Sequence, residues 1–234
     1  MKRTYLRERG GAPELRVAYD PAAARRWRGR AVVIDLFRFS NTVCALLESG
    51  RRDVRVYENA ELAVAAARAS GADIFSEKDL PGVEKYDNSP ATALRGSDPS
   101  RPAVIVTNSG SKAVMACSAA AEVLIGCFAN SGALRGYCEG SPMDTLFVPA
   151  CLYFDRSHAE DFSCARFLAG EMSYEDAVSE IHSSGRPLDF LAGRPGGRQD
   201  LEMALSGNIF SGVPSASHRG VYAPVFPAAA GGKK

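Results

Sequence analysis

Histidine is nearly absent from this sequence. Only His158, His182 and His218 occur among 234 residues, and no His-Glu-x-x-His pair exists, which excludes the commonest zinc-peptidase signature. The six cysteines, Cys44, Cys117, Cys127, Cys138, Cys151 and Cys164, never fall at Cys-x-x-Cys spacing and mostly sit within apolar segments. They read as buried reduced thiols rather than disulfides or zinc ligands, with Cys151 set apart by its place at an apparent strand end. Excess charge is lacking too: 28 Lys and Arg face 27 Asp and Glu, a net charge of +1, so no field draws a nucleic acid polymer. The basic N-terminal stretches are interrupted by Glu8, Glu14 and Asp20, unlike a transit peptide. No run approaches the ~20 apolar residues of a membrane span, and no apolar h-region follows Met1; a cytoplasmic location is the expectation. Gly-x-Ser-x-Gly, Gly-x-Gly-x-x-Gly after a strand, and the Walker A spacing are all missing, which removes the nucleophile-elbow, Rossmann and P-loop readings.

What is present is an alternation. Apolar runs of strand length recur at "LRVAY", "AVVIDL", "VRVY", "ADIFS", "AVIVT", "EVLIG" and "TLFVP", mostly separated by stretches with helical spacing. With 46% hydrophobic residues to fill a core, this predicts a layered α/β/α fold with a largely parallel or mixed central sheet. The expected organisation is a single α/β domain over residues 1–226, or two lobes sharing a sheet, with 227–234 as a flexible C-terminal tail. "SSGRPLDFLAGRPGGRQ" is the most flexible-looking internal stretch.

In open α/β sheets ligands collect beyond the carboxyl ends of the strands, so the polar residues after each run are the candidates. Asp35 and Arg38 follow the second run; they suit a metal ligand or nucleophile and a phosphate-binding fork, or a simple ion pair beside a helix capped by Ser40 or Asn41. The segment resembles the haloacid-dehalogenase phosphatase signature in part, but Phe37 stands where the second acid belongs. Glu77 and Lys78 follow the fourth run, with Asp87, Asn88 and Ser89 before Pro90. Thr107 to Lys112 open a helix after the fifth, where Ser109, Gly110, Ser111 and Lys112 suit an anion cradle. Asn130 and Ser131 follow the sixth run as capping candidates. Beyond the seventh, Ser157 to Glu160 has the capping-box pattern, which leaves Asp161 to join Asp35 or Glu77 around a hard cation.

The order of these segments resembles the 2-phosphosulfolactate phosphatase family. "VIDLFRFSNT" keeps Asp35, Arg38 and Thr42 of its first signature; Ser76-Glu77-Lys78 and Asn88-Ser89-Pro90 match its second; "TNSGSKA" keeps Gly110 and Lys112 of its third; "GCFANSGAL" and the Glu160-Asp161 pair complete the series. The likeness spans roughly residues 15 to 210. Lys78 replaces an Arg, Ser109 an Asn, and "PACLYF" a Cys-Ala-Gly segment, changes at ligand-facing ends that leave room for a different substrate within the family's chemistry.

The resemblance implies Mg²⁺-dependent hydrolysis of a small phosphorylated metabolite. Asp35, Arg38, Glu77 and Asp161 are then the catalytic candidates, with Asp35, Glu77 and Asp161 around Mg²⁺. Arg38, Lys78, Asn88, Ser109, Gly110, Ser111, Lys112 and Asn130 are the phosphate- and substrate-binding candidates. The alternatives are a phosphonate- or nucleotide-directed enzyme of secondary metabolism, or a non-catalytic phospholigand binder. The Ala- and Val-rich composition is compatible with a homodimer.

Overall fold

The computed structural model describes residues 13–194 and 197–216; the basic N-terminal start, His218 and the expected tail at 227–234 lie outside the described residues. All seven apolar runs form strands: β1 (Leu15–Val17), β2 (Arg30–Ile34), β3 (Val54–Val56), β4 (Asp73–Phe75), β5 (Ala103–Ile105), β6 (Glu122–Ile125) and β7 (Thr145–Pro149). A two-residue β8 (Ser215–Ala216) follows at the end. The helices are α1 (Pro21–Arg26), α2 (Phe39–Glu48), α3 (Ala60–Ser70), α4 (Pro90–Arg95), α5 (Gly110–Ala116), α6 (Ser131–Glu139), α7 (Ala159–Leu168), α8 (Tyr174–Ser183), α9 (Arg186–Gly193) and α10 (Arg198–Ala204). Local chemistry sets several of their starts. Asn59, Ser89 and Ser173 each accept a backbone N–H in the first turn of α3, α4 and α8, and Pro90 occupies the first turn of α4, where its missing N–H costs nothing.

The alternating α/β fold with a mixed, mostly parallel sheet is as expected, and three of the strands form a second sheet of their own. The larger has the order β1-β7-β2-β6-β8, parallel except where β8 runs against β6; the smaller is β3-β5-β4, all parallel. Every residue of β2 is buried, and β6 and β7 occupy both of its edges, which leaves β3, β4 and β5 to pair among themselves. The two sheets do not share strands; they share a core. Val32 and Ile34 of the large sheet and Val56, Phe75 and Ile105 of the small one belong to one hydrophobic cluster, with Val43 and Leu46 of α2 inside it. A second cluster, including Ala63, Ala67, Ile74 and Val104, seals the other face of the small sheet under α3.

The stretch expected to be flexible, residues 183–199, contains α9 and the start of α10. Gly185 takes a left-handed conformation before α9, and Phe190 is buried against the rest of the molecule. Among the described residues, no helix is long and apolar enough to cross a membrane.

Candidate active site

The carboxyl ends of β2, β4, β5 and β7 border one cleft of about 310 Å³, and α7 and α9 complete its walls. Asp35 stands immediately after β2. Its Oδ1 accepts the Phe39 N–H at 3.2 Å and its Oδ2 accepts the Ser109 hydroxyl at 2.6 Å, so α2 and the turn before α5 both aim it. Burial pushes this carboxyl up to about 6; the Ser109 hydroxyl opposes the shift and the charge of Glu77 adds to it. Asp161, in the first turn of α7, accepts the Leu36 N–H at 2.8 Å on one oxygen and the Cys151 N–H at 2.9 Å on the other. It ties α7 to the ends of β2 and β7. Burial, with the charges of Asp35 and Glu160, holds its carboxyl well above the ordinary range.

Glu77 follows β4, and its Oε1 accepts the Asn108 N–H at 2.6 Å. Its Oε2 is buried with no hydrogen-bond partner among the described residues, and so is Oδ1 of Asn88, on the same cleft. Buried oxygens are rarely left so, and each orphan calls for a positive or donating neighbour. Carboxylates of Asp35 and Glu77 with an amide oxygen make the hard, all-oxygen donor set that Mg²⁺ takes, since that ion uses one or two carboxylates and fills its remaining positions with water and phosphate oxygens. These residues fit the ion. Among the described residues, no three His, Cys, Asp or Glu side chains stand close enough to hold a metal together.

Arg38 lines the cleft in a double ion pair, with Asp200 at 2.5 Å and Asp87 at 2.6 Å. The peptide bond preceding it, Phe37–Arg38, is cis. Asp200 is buried and also accepts the Ser89 hydroxyl at 2.8 Å and the Ala91 N–H at 3.1 Å, so α10 and α4 jointly fix the guanidinium. Asp87 is half exposed. The Arg38 guanidinium also lies 5.4 Å from the centre of the Phe190 ring.

Several expected roles change. Glu160 is not the acid of a capping box: the N-cap of α7 is His158, with no side-chain capping bond, and Glu160 instead takes the Arg186 fork at 2.9 and 3.0 Å. A buried carboxylate is better matched by a guanidinium than by one amide. The anion cradle at the start of α5 is also mostly turned inward. The Thr107 N–H donates to Ser111 Oγ and the Ser111 N–H to Thr107 Oγ1, which closes that turn on itself. Gly110 lies so near α2 that a Cβ there would be 2.3 Å from Cγ of Phe39, so glycine serves helix packing. Only Asn108 and Ser109 of this turn line the cleft. Lys112 is exposed and borders an adjoining hollow with Arg25, Glu58 and Arg156; Lys78 reaches the Glu58 carbonyl at 3.4 Å. Asn130 is buried away from the cleft, accepting the Cys127 N–H and donating to the Ile125 carbonyl. It closes the turn after β6.

Cys151 is buried beside Asp161, and burial raises its thiol far above the ordinary range, so it stays protonated. His158 does line the cleft, and burial lowers its pKa, so it is neutral at neutral pH. Sequence reasoning missed Asp200, Arg186, Phe190 and Arg194. A signal existed in Gly185 and Pro187, the punctuation that opens a helix, with Leu188 and Leu191 at helical spacing.

The profile of a family described as 2-phosphosulpholactate phosphatase matches residues 19–189. A probable 2-phosphosulfolactate phosphatase of Caldanaerobacter subterraneus is 27% identical over 124 residues, 51% of this chain and 52% of that protein. Proteins of the same description from Clostridium perfringens and Clostridium beijerinckii are 26% and 23% identical over 149 and 161 residues, covering 61% and 66% of this chain. The chain thus spans 52%, 60% and 67% of the lengths of these three relatives.

Proposed function

The chain belongs to the 2-phosphosulfolactate phosphatase family, and from that premise we propose that it hydrolyses a small organic phosphomonoester, 2-phosphosulfolactate or a related phosphorylated metabolite, in the cleft at the strand ends. The observation that carries this reading is the pairing of Asp35 and Glu77 on one cleft with the fixed guanidinium of Arg38, beside an orphaned Glu77 oxygen.

Asp35 and Glu77 would hold Mg²⁺, which when bound withdraws charge from phosphoryl oxygens and acidifies a coordinated water. Asp35 is kept in orientation by the Ser109 hydroxyl and the Phe39 N–H, and Glu77 by the Asn108 N–H. Arg38 stays anchored to buried Asp200 while the half-exposed Asp87 yields its place to a phosphoryl oxygen. The guanidinium then stabilises charge on the transferring group without having to be repositioned. Asp161 serves by position, joining the backbone after β2 to that after β7.

The test is a screen of small phosphomonoesters, including 2-phosphosulfolactate, for phosphate release with and without Mg²⁺. Release that requires the ion is the expected result; tight binding with no turnover at saturating Mg²⁺ would identify a phospholigand binder instead. The stereochemical course at an isotopically chiral phosphorus then separates two routes: net retention marks two displacements through an aspartyl phosphate on Asp35, and net inversion marks direct attack by water.

A further inference from the structure

Three guanidinium groups line the cleft, and two of them are matched by carboxylates. Arg38 holds Asp200 and Asp87, while Arg186 lies in a fork on Glu160 with Asp189 at 3.8 Å. The third, Arg194, at the C-cap of α9, is half-buried and has no carboxylate partner among the described residues. Its guanidinium lies 5.5 Å from the centre of the Phe190 ring. That contact restrains the fork, so less freedom is lost when an anion meets it. A partly dehydrated cation facing a cleft gains most from an anionic partner, and Asp87, Asp200, Glu160 and Asp189 are already paired with Arg38 and Arg186.

Two further facts bear on what that partner is. Arg38 and Arg194 line the same cleft, and each guanidinium lies against the Phe190 ring, so a molecule that fills the cleft meets both. Arg194 also lies five residues past the end of the family profile's match at residue 189. The reacting phosphoryl group is served at the strand ends by Arg38 and the Asp35 and Glu77 pair. We propose that Arg194 is a specificity-determining residue that binds an anionic substituent of the substrate other than the phosphoryl group being removed. This rests on the phosphomonoester reading above.

Isopropyl phosphate and 2-phospholactate differ by one carboxylate and make the test. The wild-type protein is expected to favour 2-phospholactate in kcat/KM by roughly tenfold or more, the scale of one charge-assisted contact. In Arg194→Gln the preference falls to within about twofold, through a raised KM for 2-phospholactate rather than a lowered kcat. Arg194→Lys restores only part of it, because an ammonium lacks the planar fork. A wild-type preference near one overturns the proposal, and so does a preference that survives Arg194→Gln. Equal losses on both esters also overturn it, since they place Arg194 on the phosphoryl group. If the wild-type protein hydrolyses neither these esters nor any other phosphomonoester of the screen, the phosphatase reading fails by itself. Calorimetric titration of the two esters then decides the role of Arg194 by the same ratio, and failure of both esters to bind overturns it.

Discussion

At Asp35, folding works against ionisation. Its carboxyl is raised to about 6 in the folded protein, and that of Asp161 is raised as well, chiefly by burial. A carboxyl whose folded pKa exceeds its unfolded one binds more protons when folded, so its stabilising contribution is present at low pH and lost as pH climbs through the folded value. The metal-free protein should therefore lose on the order of 2 kcal/mol between pH 4 and pH 7 from Asp35 alone. Thermal unfolding in EDTA should show Asp35→Asn to be more stable than wild type at pH 7, with the difference shrinking towards pH 4. Mg²⁺ at pH 7 should raise the wild-type Tm and leave the variant nearly unmoved. Arg38 offers a second contrast. Asp200 is buried and Asp87 half exposed. Asp200→Ala strands a buried guanidinium and should cost about 3 kcal/mol in denaturant unfolding. Asp87→Ala should cost about 1 kcal/mol or less by the same measurement.

Among the elements, the close approach of α5 to α2 is the most exposed to a single change. Gly110→Ala puts a methyl where Phe39 already sits, and an expected loss of about 2 kcal/mol follows from overpacking, readable as a lower urea midpoint with an unchanged m-value. The strands were legible because buried runs such as "AVVI" and "AVIV" carry their own signal, and Asp35, Glu77 and Ser109 were legible because they come directly after such runs. Glu160 misled: Ser157-x-x-Glu160 satisfies the capping pattern, and only the later arrival of Arg186 from α9 decides what the carboxylate does. α9 itself was hidden by the Gly and Pro density of residues 183–199, which locally favours loops and is overridden by burial of Phe190. Ser111 and Lys112 were drawn to the cleft by their place at a helix start, but spacing along a chain does not state which way a turn faces.

Across the whole molecule, a mostly parallel sheet and a parallel one present strand carboxyl ends to one place. The larger supplies Asp35 and the backbone that Asp161 grips; the smaller supplies Glu77, Asn108 and Ser109. Strand pairing could not be read from periodicity, which marks a buried strand but not its neighbour, so the second sheet, joined to the first by a shared core, was not legible. The proposed function depends on all of this, because carboxylates from different sheets would act together on a phosphomonoester. Phosphate release with Mg²⁺ by the wild-type protein, Asp35→Asn and Glu77→Gln, each confirmed folded by circular dichroism, tests it most directly. Metal-dependent release by the wild type and a loss of at least about a hundredfold in each variant is the predicted result. Release that survives either substitution at the wild-type rate would contradict it.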